Sequence, residues 1–155
     1  MRIQWLVVIA LLTLVAFMGC AQKTTELPEK VIIHTDAAPK AIGPYSQAVL
    51  VGETLYCSGQ IAIDPKTGDL VQESIEAETR QVLENLGAVL RAAGMDYKNV
   101  VRATVYLADI QDYQAVNKVY NEYFADSKPA RAAVQVAALP KGANVEISCI
   151  ARIVK

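Results

Sequence analysis

The chain has 155 residues, of which 53% are hydrophobic and 20% charged, and its formal net charge is -1. A charge this close to zero argues against a nucleic-acid partner. The sequence holds one histidine, three widely spaced cysteines and no glycine-rich phosphate-binding motif. It therefore predicts neither a metal site nor a nucleotide cofactor.

Residues 1–19 have the layout of a signal peptide. Arg2 is their only charged residue, and residues 3–17 form an apolar run that is short for a membrane span. Gly19 then precedes Cys20. The whole segment resembles a bacterial lipoprotein signal, in which cleavage before the cysteine leaves its thiol to be acylated. We expect a lipoprotein on the periplasmic side of the cell envelope. An uncleaved anchor, or a secreted or soluble periplasmic protein, is the alternative.

The segment after the signal peptide, residues 20–34, is predicted to be a polar tether that ends in a short edge strand at residues 31–34. The folded domain is expected to cover residues 35–155. Removing residues 1–19, with Arg2 as their only charge, changes the net charge from -1 to -2.

A β-hairpin is predicted next, with strands at residues 47–51 and 54–58. Its second strand runs into Ser58 and Gly59, and a glycine in a strand usually marks close approach by a ligand or another backbone. Just before the hairpin, a Gly-Pro pair fixes the backbone ahead of Tyr45. The Tyr45 phenol suits the wall of a site for a small polar ligand, and ordinary packing is the alternative.

Two helices and a strand follow. Apolar residues recur at helical spacing over residues 74–93, and Gly94 stands where a C-terminal cap is expected. Residues 99–107 read as a β-branched strand. A second helix is predicted from Asp109 or Asp112 to Phe124, with Asn117 in its middle, where an asparagine is usually solvated. The inner side of this helix is predicted to carry Tyr113, Val116, Tyr120 and Phe124.

The last two strands are predicted at residues 131–138 and 145–153. Arg131 shares a face with alanines, which leave room for its guanidinium to hold a carboxylate through two parallel hydrogen bonds. Glu146 lies opposite the apolar face of the final strand. On neighbouring strands, this acid and Arg131 would form an anion clamp with a proton-handling group, or an ordinary surface ion pair.

The order of elements indicates an α+β fold, a mixed β-sheet with two helices on one face. The other face of the sheet carries enough apolar residues that we expect other subunits to cover it. Cys57 and Cys149 lie within apolar strands and are expected to be buried free thiols.

Several short motifs occur together in order: Gly43-Pro44-Tyr45, Ser58-Gly59-Gln60, Asn117, Pro129-Ala130-Arg131, Leu139-Pro140-Lys141 and Val145-Glu146-Ile147. In combination they make the chain, from about residue 35 to 155, resemble the reactive intermediate deaminase family (Rid, also called YjgF). The resemblance implies a chorismate-mutase-like fold and a homotrimer with ligand pockets between subunits. It implies hydrolysis of 2-imino acids and enamines to 2-keto acids and ammonia, with no cofactor and no metal.

The resemblance also implies roles for individual residues. Arg131 matches the carboxylate-binding arginine of the family, and Glu146 matches its water-positioning acid. Ala133 stands where many members have a cysteine, so that only its backbone N–H is available as a donor. The implied pocket-lining residues are Tyr45, Ser58, Gly59 and Asn117.

Two other functions compete with this prediction. One is a non-catalytic trimer that binds small carboxylates or acts like a chaperone in the cell envelope. The other is the older family label of endoribonuclease, which fits poorly with a domain of net negative charge, since RNA is itself an anion.

Overall fold

The computed structural model describes residues 28–153, which form six strands and two longer helices. The strands are β1 (Lys30–Ile33), β2 (Ala48–Val51), β3 (Thr54–Gln60), β4 (Val100–Leu107), β5 (Ala130–Gln135) and β6 (Val145–Arg152), and the helices are α1 (Ile75–Ala92) and α2 (Tyr113–Phe124). The strands make one sheet in the order β1-β2-β3-β6-β4-β5. Strands β4 and β5 pair in parallel and the other neighbours are antiparallel. The predicted α+β fold is confirmed.

Helix α1 begins and ends where its sequence indicates. The Ser74 hydroxyl accepts a hydrogen bond from the backbone N–H of Ala77 at 3.1 Å, which caps the first turn. At the other end Gly94 takes a φ of +72°, a left-handed conformation that favours glycine. Between these caps, one face of the helix packs its apolar side chains against the sheet, so α1 and the helix-facing side of the sheet share one core.

The order of the strands corrects one sequence-based expectation. Arg131 on β5 and Glu146 on β6 were expected on neighbouring strands, but β4 lies between them. Helix α2 connects β4 to β5 as a crossover, which returns the chain parallel to β4 at the edge of the sheet. β6 then crosses to the other side of β4 and pairs with β3.

The sheet has one buried face and one partly exposed face. Alternate residues of β6, among them Val145, Ile147 and Cys149, are buried against the helices. The opposite face leaves Tyr56 50% exposed and Val134 43% exposed. An apolar surface of this kind is what the sequence predicted to require a partner.

The two cysteines of the described chain lie side by side on the buried face. Cys57 on β3 is the register partner of Cys149 on β6. Both are buried free thiols, as expected from the sequence.

The predicted signal peptide and its Cys20 lie outside the described residues. Within residues 28–153, no helix is both long enough and apolar enough to cross a membrane.

Candidate active site

The first half of the candidate site is a cavity of about 340 Å³, here called the acid pocket. Its lining residues come from the loop before β2, the end of β3 and the segment from residue 140 to β6. They are Ile42, Tyr45, Ser58, Gly59, Ile61, Pro140 and Glu146. The predicted residues Tyr45, Ser58, Gly59 and Glu146 therefore meet in one place, although 101 positions separate Tyr45 from Glu146 in the sequence.

The hydroxyl groups of this pocket are oriented by the backbone around them. The Tyr45 phenol oxygen accepts a hydrogen bond from the Ile42 N–H at 3.2 Å, so its own proton is free for a ligand. The Ser58 hydroxyl donates to the Ser46 carbonyl at 2.7 Å, which leaves its oxygen as an acceptor. Besides the Glu146 carboxylate, the pocket thus offers one hydroxyl donor and one hydroxyl acceptor at fixed positions.

Among the residues that the structure describes, Glu146 is the one ionisable carboxylate that lines this pocket. It is partly buried, and this burial raises the pKa of its carboxyl group above the usual range. Its side chain lies directly against Gly59, so close that a Cβ at position 59 would overlap the carboxylate. The glycine therefore leaves the space that the Glu146 carboxylate occupies. The sequence predicted close approach by a ligand or another backbone at this glycine, and the structure places a side chain there instead.

Three buried polar side chains hold the walls of the acid pocket. Gln47 accepts from the Thr35 N–H at 2.7 Å and donates to the Pro39 carbonyl at 2.8 Å, which fixes the loop that leads to Tyr45. Asn85 donates to the Ile61 carbonyl at 3.1 Å. Because each of these groups satisfies backbone that would otherwise be unpaired, the loops keep a defined shape.

The third of these side chains is Glu78 of helix α1, which is fully buried. Its carboxylate accepts hydrogen bonds from the backbone N–H of Asn144 at 2.7 Å and from the Asn144 side-chain amide at 2.8 Å. Asn144 lies two residues before Glu146. The buried carboxylate therefore sets where β6 begins and, through it, where the acid of the pocket is placed.

The second half of the candidate site is a larger and more open cavity of about 710 Å³, here called the arginine pocket. It is formed by β5 and the first turn of α2, with the short helical turn Ile110–Asp112 before it. Its lining residues are Ile110, Gln111, Tyr113, Gln114, Arg131 and Ala133. Arg131 and Ala133 thus share a face of β5, as the period of two predicted.

Asn117 joins the arginine pocket indirectly. The nearby side-chain amide of Asn117 and the charge of Arg131 lower the pKa of Tyr113. Asn117 lies one turn after Tyr113 on α2, at a spacing that places both side chains on one face. Tyr113 was predicted on the inner side of this helix, but it is 39% exposed and lies beside Arg131.

Within residues 28–153, the two pockets share no lining residue, and the sheet separates them. Arg131 is in register with Ala103 and therefore with Cys149, on the helix-facing side. Glu146 is in register with Tyr106, on the opposite side. Two strand spacings and three residues along the strands put the two Cα atoms roughly 14 Å apart. The two residues cannot act on one small molecule within one chain.

Some residues of the site were not found from the sequence. Ile42, Ile61 and Pro140 line the acid pocket, and Tyr113 lines the arginine pocket. The short motif around Pro140 was visible in the sequence as a turn signal. Ile42 and Ile61 carried no comparable signal, because an isolated isoleucine in a loop or at a strand end looks like any packing residue.

Replacing Gly59 by alanine should inactivate the site without unfolding the chain. The added methyl group would displace the flexible end of Glu146 rather than any backbone. We expect kcat to fall about 100-fold, since a displacement of about 1 Å can cost that much, while the melting temperature changes little.

Gly68→Ala is the matched control. Gly68 has a φ of +82°, and no atom of the described part of the chain lies within 4 Å of the added carbon. This variant should lose about 1 kcal/mol of stability and keep its activity. Steady-state kinetics and thermal melts measure both, and a fully active Gly59→Ala protein would show that Glu146 is not used where it stands.

Comparison with known proteins matches nearly the whole described chain. The family model described as Endoribonuclease L-PSP matches residues 35–153. A protein of Capra hircus named 2-iminobutanoate/2-iminopropanoate deaminase is 61% identical over 120 residues, 77% of this chain and 88% of that protein.

Solved structures agree with these sequence matches. A Thermotoga maritima protein superposes with a TM-score of 0.80 at 52% identity and covers 82% of this chain and 100% of its own. RidA from an Antarctic Psychrobacter superposes with a TM-score of 0.77 at 49% identity, covering 79% of this chain and 99% of its own.

Proposed function

The chain belongs to the Endoribonuclease L-PSP family, which contains the reactive intermediate deaminases, and we propose that it hydrolyses 2-imino acids to 2-keto acids and ammonia. The observation that carries the proposal is the partly buried Glu146 carboxylate in a small pocket with mostly apolar walls. A carboxylate held in such surroundings can act as a general base near neutral pH. Relatives at 56–61% identity carry the name 2-iminobutanoate/2-iminopropanoate deaminase, which supports the same chemistry.

The proposed reaction uses Glu146 for proton transfer and Arg131 for binding. The guanidinium of Arg131 holds the substrate carboxylate through two hydrogen bonds and so places the imine carbon. Water adds to the carbon of the protonated imine while Glu146 takes one proton from the water, which forms a neutral carbinolamine. Glu146 returns that proton to the nitrogen, the C–N bond breaks as the carbinolamine hydroxyl gives its proton back to Glu146, and ammonia leaves a 2-keto acid. Tyr45 and Ser58 orient the substrate through their free donor and acceptor.

The two halves of the site indicate a site between subunits, and the resemblance to the reactive intermediate deaminases supplies the homotrimer that we propose. Because Arg131 and Glu146 lie on opposite sides of one sheet, a complete site needs the acid pocket of one subunit to face the arginine pocket of its neighbour. The exposed Tyr56 and Val134 on the open sheet face support the same arrangement. Burying that face would stabilise the assembly by roughly 25 cal/mol for each Å² removed from water. Analytical ultracentrifugation of the protein from Lys23 onward measures its oligomeric state. A fully active monomer would contradict the proposed trimer.

An oxidase-coupled assay tests the function directly. An amino-acid oxidase generates 2-iminobutanoate from 2-aminobutanoate, and a hydrazine-type reagent traps the imine that has not yet been hydrolysed. The protein should lower the yield of the trapped product and speed the release of 2-oxobutanoate. A protein that binds carboxylates without turnover would leave both unchanged, which would favour the non-catalytic alternative. Degradation of single-stranded RNA in a parallel sample would instead support the ribonuclease label.

We also propose that the protein is a lipoprotein of the cell envelope, anchored through Cys20. The proposal rests on the sequence of residues 1–20, where one positive charge and an apolar run lead to Gly19. Mass spectrometry of the membrane fraction should find an acylated N-terminal Cys20. A soluble periplasmic protein cleaved at another residue, or a chain that keeps Met1, would contradict it.

A further inference from the structure

The guanidinium of Arg131 rests on two tyrosines of helix α2. Its central carbon lies 4.7 Å from the centre of the Tyr120 ring and 5.6 Å from that of Tyr113. One of its terminal nitrogens donates a hydrogen bond to the Tyr113 hydroxyl at 3.2 Å. Tyr113 and Tyr120 are seven residues apart, about two helical turns, so both rings project from the same side of the helix.

The ring of Tyr120 is itself firmly held. It is 7% exposed and stacks on Phe124 with ring centres 4.3 Å apart and an interplanar angle of 26°. Phe124 in turn packs edge-on against Tyr97. The guanidinium therefore lies at the end of a column of aromatic rings that begins in the core, and Tyr120 is the ring on which it rests.

This support differs from the usual way of holding an arginine, which is an ion pair. Among residues 28–153, the ion pairs that form do not include Arg131. An aromatic face attracts a cation without neutralising it, whereas an acidic neighbour would compete with an incoming carboxylate. The bond to Tyr113 uses one of the five N–H donors of the guanidinium and leaves four for a ligand.

We propose that Tyr113 and Tyr120 are positioning residues that hold the Arg131 guanidinium, still charged and unpaired, for the carboxylate of the substrate. Tyr120 does so through its ring and Tyr113 through its hydroxyl. The inference rests on the proposed function for the identity of the ligand, a small 2-imino or 2-keto acid. It does not rest on that function for the orientation of the arginine, which can be measured on its own.

The test compares three variants by their affinity for 2-oxobutanoate and by their kinetics. Tyr120→Leu removes the ring and should weaken binding of 2-oxobutanoate and raise KM by about 3- to 30-fold, with little change in kcat. Tyr120→Phe keeps the ring and should restore the affinity, since the Tyr120 hydroxyl has no hydrogen-bond partner in the described part of the chain. Tyr113→Phe should weaken binding about 2- to 10-fold.

Tyr123→Leu is the matched control for the loss of a packed ring. Tyr123 lies on the same helix and packs against Tyr97, with ring centres 5.2 Å apart, rather than against Arg131. This variant should lower the melting temperature and leave the affinity for 2-oxobutanoate unchanged. If it weakens binding as much as Tyr120→Leu, the effect is general destabilisation and the proposal is wrong.

Two further measurements separate positioning from mere packing. In an Arg131→Ala background, Tyr120→Leu should cause no further loss of affinity or rise in KM, because the residue acts through the arginine. In the unliganded protein, NMR should find the side-chain protons of Arg131 shifted upfield by the Tyr120 ring, and this shift should vanish in Tyr120→Leu and persist in Tyr120→Phe.

The NMR measurement needs no substrate. If the wild-type protein fails to deaminate imines or to bind 2-oxobutanoate, the proposed function fails and the ring shift still decides whether the tyrosines orient the arginine. Arg131 resonances that are the same with and without the Tyr120 ring would overturn the inference, and so would an equal loss of affinity in both backgrounds.

Discussion

Replacing Glu146 by glutamine should lower kcat by about 10²- to 10⁴-fold and change KM little. The amide is nearly the same size and can still hydrogen-bond to water, but it cannot take a proton from it. Glu146 contacts the reacting water, whereas Arg131 binds the carboxylate group of the substrate. Substrate binding should therefore survive the loss of the Glu146 carboxylate. Steady-state kinetics with enzymatically generated 2-iminobutanoate measure both constants. An equal loss of affinity and of rate would point to a structural role for Glu146 instead.

The pH dependence of the same reaction gives an independent check. Burial raises the pKa of Glu146, and the residue must be ionised to accept a proton. The rate should therefore fall as the pH is lowered through that raised pKa, and the fall should begin at a higher pH than for a solvated glutamate. The acidic limb should be absent from the residual activity of Glu146→Gln. Glu53→Gln is the control. Glu53 is exposed, with a carboxylate oxygen 3.6 Å from a guanidinium nitrogen of Arg152, and this variant should keep both the wild-type rate and its fall at low pH.

Mixing two inactive variants should restore activity. In Arg131→Ala the acid pocket is intact, and in Glu146→Gln the arginine pocket is intact. If each site joins one pocket from each of two subunits, a mixed trimer contains some junctions with both intact halves. Around the ring of any trimer that contains both variants, one junction of the three joins two intact halves, so purified mixed trimers should have about a third of the wild-type activity.

The experiment requires trimers that contain both variants. Co-expression with two different affinity tags and purification through both tags provides them, and sedimentation verifies their size. Each variant expressed alone with both tags is the control and should stay inactive. If verified mixed trimers recover no activity, the active site does not form between subunits.

The local features of this fold follow from the sequence by itself. Alternation along residues 145–153 places Glu146 on the face opposite Ile147, and the structure agrees. Ser74 and Gly94 mark the ends of α1 because capping and left-handed backbone are properties of single residues and their immediate neighbours. The resemblance to a known family, carried by short motifs, went further and indicated which of these residues belong to a site.

The relation between Arg131 and Glu146 was decided only by the tertiary structure. Which strands pair depends on contacts between distant parts of the chain, and the crossover through α2 placed β4 between the two strands that carry these residues. An intervening strand and an odd offset in register then put the two side chains on opposite faces, which no period of two within a single strand can reveal.

The same holds for the ring beneath the arginine. Helical spacing predicted that Tyr120 faces inward, but its contact with Arg131 exists because α2 packs over the edge strand β5. Local patterns determine what each side chain can do and which face it takes. The packing of elements against one another determines which side chains meet, because that choice depends on burial and pairing across the whole domain.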